Sequence, residues 1–300
     1  LLEKKYLTLS KILFVEIVPV AFDSLGARSM ATFVKTKDVK IMIDPSVALG
    51  PRRYGLPPHK IEHERKNYLW KEIKRFVRLS DIVIVSHYHY DHHNPNETEI
   101  LENKILFVKH PTENINLSQK KRAAYFLQQL KSSQIHFADG STLEEGNTQI
   151  VFSEALPHGT NTRLGFVVMT GIFEKTTFVH TSDVEGVCLD DQLQWLINFD
   201  PETAFVDGAL TYMLGYRFLS KEFQKSVENL KKLMEKTKVK DIVLDHHLTR
   251  DLNWRDRMRE VFDFAKEMGV RVMSAAEFIG KREDLLEARR KELYSKYNFV

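Results

Sequence analysis

Residues 82–92 read IVIVSHYHYDH, and the junction inside this run constrains the fold more than any other feature of the chain. Four consecutive β-favouring apolar residues, Ile82 to Val85, make a short, fully apolar strand of the kind found inside α/β sheets. The strand has to stop at Ser86, because three imidazoles and a carboxylate follow within six positions, His87, His89, Asp91 and His92. In random sequences of this composition the pattern His-x-His-x-Asp-His would appear about once in a thousand chains. Imidazole nitrogens with a carboxylate suit zinc, manganese or iron. A loop leaving a strand can turn His87 and His89 toward one metal while Asp91 and His92 face another a few ångströms away.

The same unit recurs later in the chain. Phe223, Val227, Leu230 and Met234 mark one face of a helix, and the strand Ile242 to Leu244 then runs into Asp245, His246 and His247. Earlier, residues 12–22 and 31–43 read as two strands around a glycine-containing turn. Leu69, Ile73, Phe76 and Val77 give a helix over 65–77. Between the two units the sequence predicts a strand at 105–109, a helix at 117–131 and β segments at 148–156, 164–170, 176–181 and 204–207. A helix over 254–268 capped by Gly269, a strand at 270–273 and charged helical sequence with a solvated face complete the reading. Neither a repeat nor a linker composition interrupts the alternation, so one α/β domain over 1–300 is expected.

Composition narrows the partners. Lys and Arg total 44 against 41 Asp and Glu, a net charge of +3, too small to favour nucleic acid or a membrane surface. The single cysteine, Cys188, permits neither an intrachain disulfide nor a thiolate metal cage and reads as a small buried apolar residue. A reducing cytoplasmic setting is expected. No run approaches the ~20 apolar residues of a membrane span. Glu16 and Pro19 interrupt the only stretch resembling a signal peptide, Lys4 to Met30.

Two metals need more ligands than the cluster provides, and candidates occur at later strand ends: His158 in LPHG, Asp183 in HTSD and His246 in LDHH. Asp44 ends the second strand. In order and spacing, Asp44, the cluster, His158, Asp183 and His246 resemble the five motifs of the metallo-β-lactamase superfamily. More narrowly, SLGARSMATFV, IDPSVALGPRRYGLPPH, DGALTYMLGYR and LDHHLTRD resemble a largely archaeal branch of predicted metal-dependent hydrolases, without naming a substrate. The resemblance spans essentially the whole chain. It implies a four-layer αββα sandwich of two mixed sheets with helices outside. It also implies one metal held by His87, His89 and His158, a second held by Asp91, His92 and His246, and Asp183 as the bridge. Asp44 would orient the cluster loop by hydrogen bonding. The superfamily's di-iron electron-transfer branch has Glu where His89 stands, so hydrolysis is favoured over redox chemistry.

Other residues have two readings each. The strand-end parallel favours His246 over His247 as the ligand, leaving His247, with His180 or a metal-bound water, to protonate the leaving group. His93 and His110 are expected as hydrogen-bonded neighbours of the ligands. Arg52, Arg53 and His59 form either an anion-binding rim or a solvated basic loop, and Tyr212 and Tyr216 either reach substrate or pack. The expected chemistry is attack by a hydroxide shared between two divalent ions, most simply zinc, on a small or medium anionic substrate. A phosphodiester stands slightly ahead of a lactone or thioester. The alternatives are a nuclease of the same superfamily and a catalytically silent metal-binding protein of the same fold.

Overall fold

The computed structural model describes residues 15–297. Its strands are β1 (Glu16–Phe22), β2 (Met30–Lys35), β3 (Lys40–Ile43), β4 (Ile82–Val85), β5 (Ile105–Val108), β6 (Gln134–Phe137), β7 (Thr142–Glu145), β8 (Thr148–Phe152), β9 (Leu156–Pro157), β10 (Phe166–Val167), β11 (Thr170–Phe173), β12 (Thr177–His180), β13 (Thr203–Asp207), β14 (Asp241–Asp245) and β15 (Arg271–Met273). The longer helices are α1 (Lys60–Leu79), α2 (Leu117–Gln129), α3 (Asp190–Phe199) and α4 (Ser220–Lys236). Further on come α5 (Trp254–Arg257), α6 (Arg259–Met268), α7 (Ala275–Phe278) and α8 (Arg290–Tyr297).

The first sheet runs β1-β2-β3-β4-β5-β6, and the second β15-β14-β13-β12-β11-β8-β7. Both are mixed. β1 to β3 are antiparallel and β3 to β6 parallel, with α1 and α2 as crossovers. In the second sheet β12 to β15 are parallel and the rest antiparallel.

Period-two alternation sorts the second sheet into two cores. Phe178, Phe205 and Val243 face the first sheet, where Phe205 meets Phe22 edge-on at 5.8 Å. Their neighbours Val179, Ala204, Val206, Ile242 and Leu244 face the other way, against Leu196 of α3, Leu230 of α4 and Val261 of α6. On the outer face of the first sheet, Phe76 of α1 packs on Phe33 at 4.9 Å. The resulting order is helices, sheet, sheet, helices, the αββα sandwich. No described helix is long and apolar enough to cross a membrane.

Several local expectations change. The strand expected over 31–43 is two strands, because the Thr36 hydroxyl accepts the amides of Asp38 and Val39 and closes a turn. β6, β7 and α3 were not anticipated. The helix expected over 254–268 breaks at Met258, and Gly269 caps α6 in the left-handed region (φ 70°) as expected. The expected solvated C-terminal helix is instead two short helices with an irregular connection, and Leu285, Leu286, Leu293 and Arg290 are buried. Residues 12–14 of the first expected strand, and 298–300, lie outside the described residues.

Arg290 ties this last segment to the body. Its guanidinium donates to both oxygens of Glu62 (2.8 and 2.7 Å) and to the carbonyls of Gly50 and Leu56. Both partners are essentially inaccessible. Breaking such a pair strands a buried charge, so Arg290→Met should cost about 3–5 kcal/mol in urea unfolding. Adding Glu62→Gln, which removes the stranded charge but keeps an acceptor for the α1 cap, should recover most of that loss. Equal stability of Arg290→Met and the parent would show that the pair carries no such weight.

Candidate metal centre

The candidate ligands gather where parallel strands end. Asp44 follows β3, the histidine cluster follows β4, Ser182 and Asp183 follow β12, and His246 follows β14. At three of these exits a non-glycine residue turns the chain through the left-handed region: Asp44 (φ 50°), Ser182 (φ 54°) and His246 (φ 58°). Each such residue carries strain of order 1 kcal/mol, held by the packed strand behind it. His158 reaches the same place from the small β9/β10 pair, with its amide on the Gly165 carbonyl.

Asp183, only 2% exposed, lies at the centre. Its Oδ1 is 2.9 Å from His92 Nε2 and 3.2 Å from His246 Nε2. Its Oδ2 is 3.2 Å from His158 Nε2 and 3.5 Å from His87 Nε2. Asp91 Oδ2 lies 3.8 Å from His246 Nε2, and His89 Nδ1 lies 3.1 Å from His158 Nε2. Among the described residues, four overlapping groups have ligand atoms within 4.8 Å of one another: His87, His89, His158 and Asp183; Asp91, His92 and His246; Asp44, His87 and His92; and Asp183, His246 and His247.

These residues fit metal ions on an independent observation. His87 Nε2, His92 Nε2 and Asp183 Oδ1 are buried and lack any hydrogen bond of acceptable geometry, although the last two are close. Unpartnered polar atoms in a dry site are costly, and a cation among them removes the cost. The electrostatics point the same way. Burial pushes the His87 imidazole down to about 4. Burial also opposes charge on His92 and His246, but the carboxylates of Asp183 and Asp44 outweigh it at His92, and those of Asp183 and Asp23 hold His246 up at about 10. The site thus stabilises positive charge on the His92 and His246 side of Asp183 and keeps His87 neutral, the form in which an imidazole ligates.

The distal nitrogens are held by a surrounding layer. Asp44 accepts the Ser86 amide (2.8 Å), the Ser86 hydroxyl (2.6 Å) and His92 Nδ1 (2.8 Å). The Ser182 hydroxyl lies 3.2 Å from His87 Nδ1. Three further residues were not anticipated. Asp23 accepts His246 Nδ1 (2.7 Å) and Arg250 Nε (2.7 Å). Asp207 accepts both the amide and Nδ1 of His247. Arg250, 3% exposed, brings Nη2 to 3.8 Å from Asp91. A lone Asp at a strand end has no local signature; Arg250 had one, its place in the LDHHLTRD segment.

Remaining candidates are placed as follows. His247 Nδ1 is committed to Asp207, its ring lies 4.5 Å from that of His246, and it shares a possible ligand group with Asp183 and His246. His93 donates Nδ1 to the His89 carbonyl (2.9 Å). His110 bonds within its own turn, accepting the Thr112 and Glu113 amides, and its ring packs edge-on against Phe137 at 4.4 Å. His180 is a correction: Nε2 donates to the Met30 carbonyl and Nδ1 accepts the Ser182 amide, so the buried ring has no nitrogen left for proton donation. His59 is another, because it caps α1 and is nearly buried, with Nδ1 accepting the Ile61 amide. Arg53 stacks between Tyr54 and Tyr212 and donates to the Arg250 carbonyl (3.0 Å). Arg52 is exposed, and Tyr216 is 79% exposed.

Replacing Asp44 by Asn keeps the size and one acceptor but removes the charge facing His92 Nδ1. The expected result is metal affinity about 10–100-fold weaker in competition with a chromophoric chelator, with the fold retained. Unchanged affinity would mean that Asp44 does not orient His92.

No family model matches the chain. A UPF0282 protein of Korarchaeum cryptofilum is 49% identical over 284 residues, covering 94% of this chain and 95% of that protein. Among solved structures, isothiocyanate hydrolase from Delia radicum gut bacteria aligns with TM-score 0.50 and 16% identity, over 82% of this chain and 94% of its own. Igni18, a metallo hydrolase from Ignicoccus hospitalis, aligns with TM-score 0.50 and 15% identity, over 90% of this chain and 96% of its own. These two likenesses establish the fold alone. The identity and coverage of the archaeal relative establish more: the chain belongs to the UPF0282 family, a largely archaeal branch with the metallo-β-lactamase fold.

Proposed function

We propose that the chain is a metal-dependent hydrolase of small or medium-sized anionic substrates, using two divalent ions, zinc before manganese or iron. The observation that carries this reading is the division of Asp183, whose two oxygens each face a separate pair of imidazoles. The descriptions of the two solved neighbours as hydrolases agree with it. When bound, divalent ions in such a site polarise the attacked group and lower the pKa of water from 15.7 toward ~7.

The chain's own residues supply the remaining work. The Asp207 carboxyl holds His247 Nδ1–H at 3.0 Å, which fixes the tautomer, and burial pushes this imidazole well below its ordinary pKa, so Nε2 is an acceptor that takes a proton from the attacking water and then passes it to the leaving group. Arg250, clamped by Asp23, adds a fixed positive charge behind Asp91, and Arg53 stands above it on the Arg250 carbonyl. The Arg250 guanidinium beside the candidate ligands favours an anion, and a phosphodiester ahead of a lactone or thioester.

The test joins metal analysis to a hydrolysis screen. Protein loaded with zinc, manganese or iron should retain about two ions per chain and cleave chromogenic phosphodiesters faster than lactones or thioesters. A chain that takes up none of the three metals would sink the proposal. His89→Ala should lose one ion and activity, whereas His93→Ala should keep both. His246→Ala should lose metal. His247→Ala should keep metal and slow turnover by about 10²-fold, less for nitrophenolate leaving groups that need no proton. If His247→Ala empties the site and His246→Ala does not, their roles are exchanged.

A further inference from the structure

His92, His246 and His247 each have a carboxyl group behind Nδ1, and His158 has none in bonding contact. His158 turns Nε2 to the centre, 3.2 Å from Asp183 Oδ2 and 3.1 Å from His89 Nδ1. Its other nitrogen, Nδ1, is buried and has no hydrogen-bond partner. A neutral imidazole that ligates through Nε2 carries its proton on Nδ1, and a buried N–H without an acceptor is costly. The group that faces this nitrogen is Glu185, with Oε1 3.9 Å away.

Glu185 is built into the site by its backbone. Its amide donates to Asp207 Oδ2 (2.8 Å), on the carboxyl that holds His247, and its carbonyl accepts the Cys188 thiol (3.5 Å). The residue stands in the left-handed region (φ 48°), which a side chain of this length adopts only at a cost. The side chain, by contrast, is uncommitted. Glu185 is 7% exposed, and its carboxyl accepts no hydrogen bond among the described residues. Two buried groups of opposite hydrogen-bonding character thus face each other, both without a partner.

The loop that carries His158 leaves room for that carboxyl. Gly159 (φ 75°) presents no side chain, and a Cβ there would collide with Glu185 Oε2. Gln192 of α3 pins the loop on both sides of His158, donating Nε2 to the carbonyls of Pro157 (3.1 Å) and Gly159 (3.0 Å). With the imidazole held in this way, a movement of the Glu185 carboxyl by ~1 Å closes the gap to hydrogen-bond length.

We propose that Glu185 is the positioning residue of His158, its carboxyl accepting Nδ1–H when Nε2 ligates a metal, as Asp44 and Asp23 are placed to do for His92 and His246. The inference rests on the reading of His158 as a ligand and not on hydrolysis. It gives the group of His87, His89, His158 and Asp183 an imidazole backed by a carboxyl, which orients the ring and strengthens it as a donor.

The experiment uses the zinc-loaded full chain labelled with ¹⁵N-histidine. The Nδ1–H proton of His158, assigned by its loss in His158→Gln, should resonate downfield, as imidazole protons bonded to a carboxyl do. Glu185→Ala should move that signal upfield or lose it to exchange with solvent. In competition with a chromophoric chelator the same variant should hold one ion about 10–100-fold more weakly and the other as before. Glu185→Gln keeps a carbonyl acceptor, so it should recover most of the affinity and place the signal between the two. The Glu185 carboxyl bonds nothing else, so neither variant should lower the unfolding midpoint. A signal that moves in neither variant overturns the inference, as does equal weakening of both ions or a Gln variant no better than Ala. A chain that takes up no zinc overturns this inference and the hydrolase reading together. A signal that responds as expected in a protein that hydrolyses nothing upholds Glu185 and defeats the hydrolase reading. Hydrolysis with an unmoved signal does the reverse.

Discussion

An ionised carboxylate in a dry interior is tolerated only when positive charge or hydrogen-bond donors surround it, and Asp183 meets that condition at the point where both sheets end. Four imidazoles approach its two oxygens. They arrive from β4, from the β9/β10 pair and from β14, while Asp183 itself leaves β12. Neither sheet could build this arrangement alone. The face-to-face packing that buries Phe22, Phe178 and Phe205 also sets how far apart the strand ends stand.

The surrounding carboxylates perform one operation in three places. Asp44, Asp23 and Asp207 each accept the Nδ1 of a different histidine, His92, His246 and His247, so the Nε2 of each is free to point inward. His87 is steered by hydroxyls, those of Ser86 and Ser182. A charged acceptor raises the basicity of its histidine, whereas a hydroxyl does so less. His92 and His246, facing charged acceptors, are accordingly raised above the ordinary imidazole value, whereas His87 is held below it by burial.

What the sequence made legible follows from how locally each feature is encoded. β4 was bounded correctly because four apolar residues give way abruptly to Ser86 and the histidine cluster. The cluster was readable because its members sit within six positions. α3 was missed: it has ten residues, Leu189 at its N-cap and no side-chain cap bond. β6 was missed because its residues are all exposed, so no alternation between inside and outside marks it. His180 looked like a site residue from its neighbours in HTSD, yet strand pairing aims its ring at the Met30 backbone. Asp23 and Asp207 acquire meaning only through residues 223 and 40 positions away, which no local pattern can express.

Those separations bear on how the protein is made. Asp23 meets His246 across 223 residues, Ser24 meets Asp245 across 221, and Glu62 meets Arg290 across 228. Contacts of such span form late, after the closure entropy of the intervening chain has been overcome. At a synthesis rate of ~5–20 residues per second, roughly 8–30 s separates the emergence of His92 from that of His246. Through that interval the cluster loop exists without Asp183 for most of the time and without His246 for all of it. A metal ion captured then would meet few of the candidate ligands. Selection among ions would thereby be deferred until the two sheets have closed, with geometry rather than first encounter deciding which ion stays.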